Sequence, residues 1–485
     1  MATVQTVMPC PLRERALASP RQCLVQLAGQ HYAGVITSQV SAALLDTWVE
    51  QYRHALRDQG VKKDDRLMVL TTCSLDTIIL MVACLRSQII FCPLNPLFPE
   101  KRIVEYGRNI GASWLVSGGE QVDKAVGCMI VVSRPAKAVE ARIPEKKLTI
   151  DAETVMDLVA TSGTTGVPKA VAHSYYNHFY SAVGSQQVIP LTGNDSWLLS
   201  LPLFHVGGLA IVFRSLLAGA CMWLYQKTVP LSHFLKKASI THLSLVNTQL
   251  YRLLEIESAD LFGLGVRYIL LGGGVASPGL VKKAQSQGVR VLTTYGMTEM
   301  SSQVCTGEPV FNKTTVSSGS VLSYRELRLA ADGEILVKGK PLALGYYKEG
   351  SLIPFVDNEG WYHTGDRGEW FAGQLLVKGR MDNMMISGGE NIHPEEIEQA
   401  LMGLPEIIQA VVVAVGNKEF GQRPIAYVQT TSGLLDELFT KHQLEGKIAK
   451  FKIPDRVLLF PESDVYSGIK VNRRLFQQLA DKQFS

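Results

Sequence analysis

The sequence lacks the marks of an exported, disulfide-bonded or zinc-binding protein. Its eight cysteines form no Cys-x-x-Cys pair and none lies beyond Cys305, so neither a disulfide framework nor a zinc site is predicted. Prolines and charged residues interrupt the N-terminal segment, where an export signal needs an unbroken apolar stretch. The most apolar early run, residues 78–85, is far shorter than the roughly 20 residues that span a bilayer. We expect a cytoplasmic protein without membrane insertion, and a hard, oxygen-bound cation if it binds a metal.

Neither sign of charge dominates the sequence, and repeats and low-complexity tracts are absent from it. Lysine and arginine together number 48 against 44 acidic residues, and no block of like charges stands out. Nucleic acid is therefore not an expected partner. With 485 residues, 46% of them hydrophobic, the chain can bury large cores and is too long for one ordinary domain. A homo-oligomer is compatible with these numbers.

Short apolar runs alternate with stretches of helical periodicity through most of the chain. Residues 40–58 predict a helix, and runs such as residues 196–200 and 266–271 predict strands. This alternation favours a layered α/β fold with mostly parallel sheets. From about residue 315, short strands and turns predict a β-rich subdomain. A new helix and strand pattern after residue 379 predicts a large domain over 1–379 and a small α+β domain over 380–485.

A loop rich in glycine and hydroxyl groups occupies residues 161–169, which read Thr-Ser-Gly-Thr-Thr-Gly-Val-Pro-Lys. Its backbone N–H groups and small side chains suit a phosphate cradle, to which the lysine adds positive charge. The loop matches neither the Walker A pattern nor Gly-x-Gly-x-x-Gly. Taken alone, the composition also fits a surface turn. The residues expected to contact phosphates are Thr161, Ser162, Gly163, Thr164, Thr165 and Lys169.

The complete string is similar to the signature of the acyl-adenylate-forming superfamily, which includes acyl-CoA synthetases, adenylation domains of peptide synthetases and firefly luciferase. Further landmarks of that superfamily follow in the same order through residue 474, whereas residues 1–150 carry no usable motif. The resemblance implies an α/β adenylate-forming fold with a small mobile C-terminal domain. It also implies that ATP, with Mg²⁺, activates a carboxylic acid as its acyl-adenylate.

Two glycine-containing segments resemble the adenine site of the superfamily. Gly272, Gly273 and Gly274 follow a predicted strand and leave room for a flat ring, although a tight turn explains them equally well. A second strand leads into the segment that begins with Tyr295 and Gly296. The resemblance implies that Tyr295 stacks on adenine.

Charged and hydroxyl side chains of the later motifs resemble the ligands of phosphate, metal and ribose. Thr298 would offer its hydroxyl to the α-phosphate, and Glu299 would bind Mg²⁺ near the departing pyrophosphate. Asp366, in Tyr-His-Thr-Gly-Asp, would bind the ribose hydroxyls, and Arg380 would reach the sugar or its phosphate. A solvated carboxylate at Glu299 and a surface ion pair at Arg380 are the alternatives.

The C-terminal residues of the pattern imply movement between two half-reactions. Asp382 matches the position at which the small domain pivots, and Gly388 and Gly389 would then line the passage of the acceptor thiol. Lys470 matches the lysine that stabilises charge during adenylation. Here Ile469 replaces a glycine that the superfamily usually has, and three lysines in residues 447–452 are alternatives without the pattern.

The segment from residue 200 to residue 214 resembles one wall of the acid pocket, with His205 and Gly207 bordering the acyl group. Arg214 lies among apolar residues and, if buried, needs a compensating anion, which a second carboxylate on the substrate would supply. A packed core position for His205, and an exposed or protein-paired Arg214, remain open. The segment is similar to superfamily members that act on an aromatic dicarboxylate.

These features together predict an ATP-dependent acid:CoA ligase, with an aromatic dicarboxylate as the acid and CoA as the thiol. A carrier-protein thiol is the alternative acceptor. Another aryl- or medium-chain acyl-CoA ligase, and a catalytically inactive nucleotide-binding regulatory protein, are the alternative functions.

Overall fold

The computed structural model of the chain describes residues 6–27, 31–32, 35–36, 38–70, 74–117, 130–131, 140–161, 168–225, 229–274, 276–312, 315–461 and 472–484. The predicted α/β architecture is confirmed: two large sheets and a smaller β-rich sheet precede a C-terminal α+β unit. Among the described residues, no helix combines the length and apolarity needed to cross a membrane.

Side-chain capping accounts for the start of the longest described helix. Ser41 caps the helix Ala42–Asp58 by accepting a hydrogen bond from the Leu44 backbone, and the apolar face of this helix, including Trp48, is buried. This helix confirms the expectation for residues 40–58. The helices are Pro11–Ala18, Ala42–Asp58, Ser74–Ser87, Glu100–Ile110, Tyr175–Gln186, Val206–Ala218, Leu231–Leu235, Asn247–Tyr251, Arg252–Ile256, Pro278–Ser286, Pro394–Met402, Glu437–Leu444 and Arg473–Phe484, with short 3₁₀ turns at Thr298–Met300, Met381–Asn383 and Lys450–Lys452.

The first large sheet has eight strands and carries the glycine-rich loop. Its middle is parallel, and the strands on the loop side are antiparallel. In spatial order the strands are Ser351–Ile353, Gly345–Lys348, Lys169–Ser174, Val155–Thr161, Ile90–Pro93, Arg66–Leu70, Trp114–Ser117 and Ile130–Val131.

The second large sheet has nine strands, and six of them form one parallel block. Apolar residues fill both faces of this block, as parallel sheets between helices require. In spatial order the strands are Ser320–Val321, Ser302–Gly307, Arg290–Met297, Tyr268–Leu271, His242–Leu245, Ser196–Leu199, Cys221–Leu224, Cys23–Leu27 and Gln39–Ser41.

The β-rich subdomain and the C-terminal unit follow in the predicted order. An antiparallel four-stranded sheet contains Arg325–Leu329, Glu334–Gly339, Tyr362–Phe371 and Gln374–Arg380. The C-terminal sheet contains Glu390–Ile392, Met385–Ser387, Gly421–Thr430, Ile407–Asn417 and Arg456–Leu459. Two-stranded ribbons pair Val7–Pro9 with Thr149–Asp151, His31–Tyr32 with Val35–Ile36, and Phe311–Asn312 with Thr315–Val316. The boundary near residue 380, which falls between two of these sheets, stays a prediction.

One buried histidine lies within the parallel block of the second sheet. The ring of His242 stacks on Tyr268, with centroids 4.8 Å apart, and its Nε2 donates to the Pro190 carbonyl at 3.0 Å. Burial lowers the pKa of His242 from 6.5 to about 4, against the opposing charge of Asp195. The folded protein therefore holds this imidazole neutral.

A histidine with a depressed pKa should make the fold sensitive to acid. The unfolded chain takes up a proton below pH 6.5 that folded His242 accepts only near pH 4, so stability should fall across this window. The loss should reach at most about 3 kcal/mol. In His242→Gln, whose amide can still donate to Pro190, the fall of Tm across this pH range should be shallower than in wild type. Parallel Tm profiles would contradict this prediction.

Candidate active site

Strand pairing fixes both ends of the glycine-rich loop. Strands Val155–Thr161 and Lys169–Ser174 are antiparallel, and Thr161 lies directly opposite Lys169. The Lys169 ammonium is exposed and lies 4.7 Å from the centroid of the Tyr346 ring. Between these ends, the predicted phosphate contacts Ser162, Gly163, Thr164 and Thr165 lie outside the described residues.

Glu299 lies at the start of a tight turn that faces the first sheet. Its carboxylate accepts a hydrogen bond from the Tyr346 hydroxyl at 3.0 Å, and this hydroxyl is 3.1 Å from that of Tyr362. Tyr346 lies beside Val171 on the neighbouring strand of the loop hairpin. Glu299 and Lys169 therefore both contact Tyr346, although they come from different sheets.

The groups around Glu299 fit a hard cation. They are oxygen donors, which Mg²⁺ prefers, and the two phenols remain neutral. Burial and the charge of Glu299 raise the pKa of Tyr346 to about 12, and the same causes raise the pKa of Tyr362 well above its ordinary value. Glu299 would thus hold the ion as the anionic ligand. A bound Mg²⁺ would neutralise charge on a departing pyrophosphate.

Four predicted nucleotide and hinge residues form one hydrogen-bonded chain. The Tyr295 hydroxyl donates to Asp366 at 2.7 Å, and Arg380 lies 3.3 Å from the other oxygen of Asp366. Arg380 also binds both oxygens of Asp382, at 3.0 and 3.1 Å. This ion pair lowers the pKa of Asp382. The structure therefore joins the predicted ribose ligand to the predicted pivot through one guanidinium.

The backbone explains why glycine is present at some of the predicted adenine-site positions but not at all of them. A Cβ on Gly272 would lie 2.6 Å from the Thr294 side chain, and Gly273 has a φ of +80° that favours glycine. Gly274 has open space around it. At Gly296, a Cβ would lie 1.9 Å from the Ser302 carbonyl oxygen, so strand pairing alone requires glycine there. Among these four positions, only Gly274 has neither a close contact nor a strained backbone to explain it.

The acid-pocket segment begins the helix Val206–Ala218. His205 is the exposed residue before this helix and contacts the Phe204 ring, so a packed core position for it is excluded. A Cβ on Gly207 would lie 3.1 Å from the Leu201 side chain, whereas one on Gly208 would lie 2.2 Å from a backbone carbonyl oxygen. The glycine pair thus lets the first turn of the helix approach the preceding loop.

Arg214 is buried on the inner face of the same helix. Its guanidinium donates to the Gln303 side chain at 2.5 Å and lies 5.4 Å from the centroid of Trp197, while its Nε has no hydrogen-bond partner among the described residues. No carboxylate of the described residues forms an ion pair with it. Burial lowers the pKa of Arg214 to about 9, and the charge of Arg325 adds to this effect. The exposed and protein-paired alternatives are therefore excluded within the described residues.

A second buried arginine was not predicted from the sequence. Arg325 donates to the Gln303 carbonyl at 2.5 Å and to two further backbone carbonyls, of Ser323 and Ser181. Burial lowers its pKa to about 9. Arg214 and Arg325 thus bind the same residue, Gln303, and no carboxylate of the described residues pairs with either one. Two buried cations together create a field that attracts an anion.

The predicted hinge and thiol passage lie at the start of the C-terminal unit. Asp382 is in a short 3₁₀ turn, and the next residue, Asn383, binds Glu395 of the following helix at 2.7 Å. Gly388 and Gly389 form the two-residue turn of a hairpin, with φ of 58° and 83°. Residues other than glycine adopt this backbone conformation only with strain. The backbone conformation therefore favours glycine at both positions, independently of any role in the passage of the thiol.

The predicted catalytic lysine, Lys470, lies outside the described residues. Three residues later, Arg473 pairs with Glu395 at 3.0 Å and with Glu398 at 2.7 Å. Of the alternative lysines, Lys452 forms an ion pair with a glutamate at 2.7 Å.

The two parallel-centred sheets, the loop hairpin and the Glu299 and Asp366 clusters define the adenylate-forming class of enzymes. The family model described as AMP-binding enzyme matches residues 26–347, and that of the AMP-binding enzyme C-terminal domain matches residues 396–464. The 2-succinylbenzoate–CoA ligase of Escherichia coli is 35% identical, with 90% of this chain and 92% of the relative covered.

The similarity to solved structures covers nearly the whole chain. The o-succinylbenzoate CoA synthetase (MenE) from Bacillus subtilis, in complex with the acyl-adenylate OSB-AMP, has a TM-score of 0.84 and 28% identity, covering 97% of this chain and 98% of that one. The same synthetase with ATP and magnesium ion has a TM-score of 0.82 and 29% identity, covering 94% and 96%. The chain belongs to the AMP-binding enzyme family and, within it, to the 2-succinylbenzoate–CoA ligases.

Replacing Glu299 with glutamine should weaken the binding of the Mg²⁺ that adenylation requires. The substitution keeps the shape but removes the negative charge, so the Mg²⁺ concentration that gives half-maximal pyrophosphate release should rise at least about tenfold. Glu308→Gln, which changes an exposed glutamate of the same region, is the matched control. An unchanged Mg²⁺ titration for Glu299→Gln would exclude this residue as a metal ligand.

Proposed function

We propose that the protein is an acid–CoA ligase that uses ATP and Mg²⁺ to convert o-succinylbenzoate to o-succinylbenzoyl-CoA, in menaquinone biosynthesis. The choice of acid rests on the burial of Arg214, a cation that has no carboxylate partner among the described residues. An aromatic dicarboxylate would present one carboxylate to ATP and the other to this guanidinium. The names of the relatives and the ligands of their structures support the same acid.

In the first half-reaction, one carboxylate oxygen attacks the α-phosphorus of ATP, and pyrophosphate leaves as the acyl-adenylate forms. The loop from Thr161 to Lys169 would hold the leaving phosphates by backbone N–H groups and positive charge. Thr298 would donate its hydroxyl to the α-phosphate. Lys470 would stabilise the negative charge that builds up on the α-phosphate as the carboxylate attacks.

The adenosine would lie between the glycine segment and the Asp366 cluster. Tyr295 would stack on adenine, and its hydroxyl is already bonded to Asp366, so both would be oriented before the nucleotide binds. Asp366 would accept hydrogen bonds from the ribose hydroxyls, and Arg380 would bind the sugar or its phosphate. Such preorganisation reduces the cost of ordering the site.

Recognition of the acid would depend on the buried guanidinium of Arg214. A substrate carboxylate there would supply the missing partner of Nε, and Gln303 would keep the guanidinium aimed. His205 and Gly207 would border the acyl chain at the entrance of the helix. An acid without the second carboxylate would leave the buried cation unpaired, which is unfavourable.

In the second half-reaction, the thiol sulfur of CoA attacks the acyl carbon and AMP leaves. Rotation of the small domain about Asp382 would exchange Lys470 for the hairpin that contains Gly388 and Gly389. The ion pair between Asp382 and Arg380 would have to change when the domain rotates, because Arg380 also binds Asp366. Because ATP and CoA are cytosolic substrates, we also propose a cytoplasmic location. A homo-oligomer remains a prediction.

A screen of acids for ATP-dependent pyrophosphate release, followed by mass detection of the CoA product, tests this function. With o-succinylbenzoate, we expect pyrophosphate, AMP and a CoA thioester. Equal turnover of benzoate or medium-chain acids would favour another acyl-CoA ligase. ATP binding without pyrophosphate release for any acid would favour a regulatory nucleotide-binding protein.

Lys470 and Asp382 should affect different half-reactions. Lys470→Ala should lower acid-dependent exchange of pyrophosphate into ATP about a hundredfold, because a positioned charge on the transition state is lost. Asp382→Pro should reduce CoA thioester formation from preformed adenylate more than it reduces this exchange, because proline fixes φ at the pivot.

The controls for this pair are Lys482→Ala, at an exposed lysine of the C-terminal helix, and Asp382→Ala, which removes the ion pair but leaves the backbone free. Wild-type exchange in Lys470→Ala would assign the role to another lysine. Equal loss of both half-reactions in Asp382→Pro would contradict the hinge.

Arg214→Met should separate acid recognition from stability. Turnover of o-succinylbenzoate, as kcat/KM, should fall about a hundredfold because a charged contact worth about 3 kcal/mol is lost. Acids without the second carboxylate should change only slightly. The Tm of the ligand-free protein should not fall, since the variant removes a buried cation that no described carboxylate neutralises. Arg252→Met, at an exposed arginine, is the control, and equal losses for all acids would contradict the assignment.

A further inference from the structure

Three buried titratable side chains beneath the phosphate loop have no role in the chemistry described above. Asp157 accepts hydrogen bonds from His173 Nδ1 at 2.8 Å and from His178 Nε2 at 2.6 Å. All three side chains are at most 1% exposed. Asp157 and His173 lie directly opposite each other at the base of the hairpin that carries the loop, and His178 is in the helix Tyr175–Gln186 that follows it.

The hydrogen-bond partners determine the protonation of both rings. His173 Nε2 lies 2.7 Å from the Thr298 backbone carbonyl, so each of its nitrogens faces an acceptor and both must carry a proton. In the part of the chain that the structure describes, His178 Nδ1 is buried without a partner, so a proton on Nε2 alone satisfies this ring. The Asp157 carboxylate is thus paired with one imidazolium and one neutral imidazole.

The pKa shifts agree with this assignment. Burial alone would raise the pKa of Asp157, but His178 and His173 outweigh it and hold it at about 2. Burial opposes a charge on His173, yet the Asp157 carboxylate and the Thr298 carbonyl raise its pKa above the ordinary value. Burial lowers the pKa of His178.

The contact from His173 to Thr298 joins the two large sheets at the site. His173 belongs to the strand that leaves the phosphate loop, and Thr298 begins the turn that carries Glu299. The Thr298 carbonyl also accepts a hydrogen bond from the Ser301 backbone at 3.0 Å, which closes this turn. One imidazole therefore links the segment expected to bind phosphates with the segment expected to bind the metal.

We propose that His173, held as an imidazolium by Asp157, is a positioning residue that fixes the Thr298–Glu299 turn relative to the strand Lys169–Ser174, which leaves the phosphate loop, and thereby sets the affinity for MgATP. The inference rests only on the nucleotide-binding part of the proposed function and does not depend on the identity of the acid.

A metal ion held by the cluster itself does not explain the geometry. The candidate ligand atoms of Asp157, His173 and His178 lie within 4.8 Å of one another. However, both carboxylate oxygens already accept N–H groups, and the second nitrogen of His173 is committed to Thr298. A protonated imidazole nitrogen cannot bind a metal. The cluster is a hydrogen-bonded network that orients a loop.

His178 provides a matched control for a merely structural role. It is as buried as His173 and binds the same carboxylate, but it packs against Phe213, with centroids 4.6 Å apart, and no hydrogen bond to the Glu299 turn is found for it in the described part of the chain. His173→Gln and His178→Gln should therefore both lower Tm. Only His173→Gln should change the binding of the nucleotide.

The experiment is calorimetric titration of ATP into the full-length protein, with Mg²⁺ and with a chelator, which needs no acid and no turnover. In Mg²⁺, the Kd of His173→Gln should rise about tenfold, and that of His178→Gln should stay within about twofold of wild type. The effect should be smaller in the chelator, because the Glu299 ligand then contributes less. Equal changes in the two variants would reduce the network to a structural role and overturn the proposal.

A second measurement keeps the proposal testable if His173→Gln fails to fold. In the wild-type protein labelled with ¹⁵N-histidine, a histidine other than His363, which is exposed and pairs with two carboxylates, should keep both ring nitrogens protonated above the ordinary histidine pKa of 6.5. Its signals should shift when MgATP binds. Absence of such a histidine would contradict the inference. Failure of wild type to bind ATP would instead contradict the proposed function.

Discussion

One pair of antiparallel strands, Val155–Thr161 and Lys169–Ser174, organises the nucleotide site. Its tip is the phosphate loop, and its base holds the ion pair of Asp157 and His173, which reaches the Glu299 turn on the other sheet. The next strand supplies the tyrosine that binds Glu299. Because neighbouring strands fix each other's register, a shift of this pair would displace the phosphate and metal segments together.

Buried positive charge is the second physical feature of the site. Arg214 binds the side chain of Gln303, Arg325 binds its backbone carbonyl, and no carboxylate of the described residues pairs with either arginine, an arrangement that costs stability in the free protein. An anionic ligand bound there would offset that cost, so we propose that the same charges that destabilise the free protein select a dicarboxylate. Specificity and stability are therefore expected to oppose each other at Arg214.

Local patterns in the sequence were sufficient for the fold class and for several elements, such as the helix Ala42–Asp58, because burial imposes a helical period on apolar residues. They gave residues 1–150 no functional role, because this part carries no motif, and they could not show that its strands, such as Cys23–Leu27 and Arg66–Leu70, join both large sheets. Packing between residues that are far apart in the sequence decides which strands pair, and a short stretch of sequence does not contain this information. The burial of Arg325 and the clash that requires Gly296 depend on such distant neighbours as well. Most of the loop tip and Lys470 lie outside the described residues, so their roles stay predictions.

Isotope transfer tests the central claim, formation of an acyl-adenylate, most directly. o-Succinylbenzoate labelled with oxygen-18 in both carboxylates would be incubated with ATP, Mg²⁺ and CoA, and the AMP, pyrophosphate and thioester analysed by mass spectrometry. If the carboxylate attacks the α-phosphorus, each AMP formed carries one labelled oxygen and the pyrophosphate carries none. Unlabelled AMP, or label in the pyrophosphate, would contradict the account.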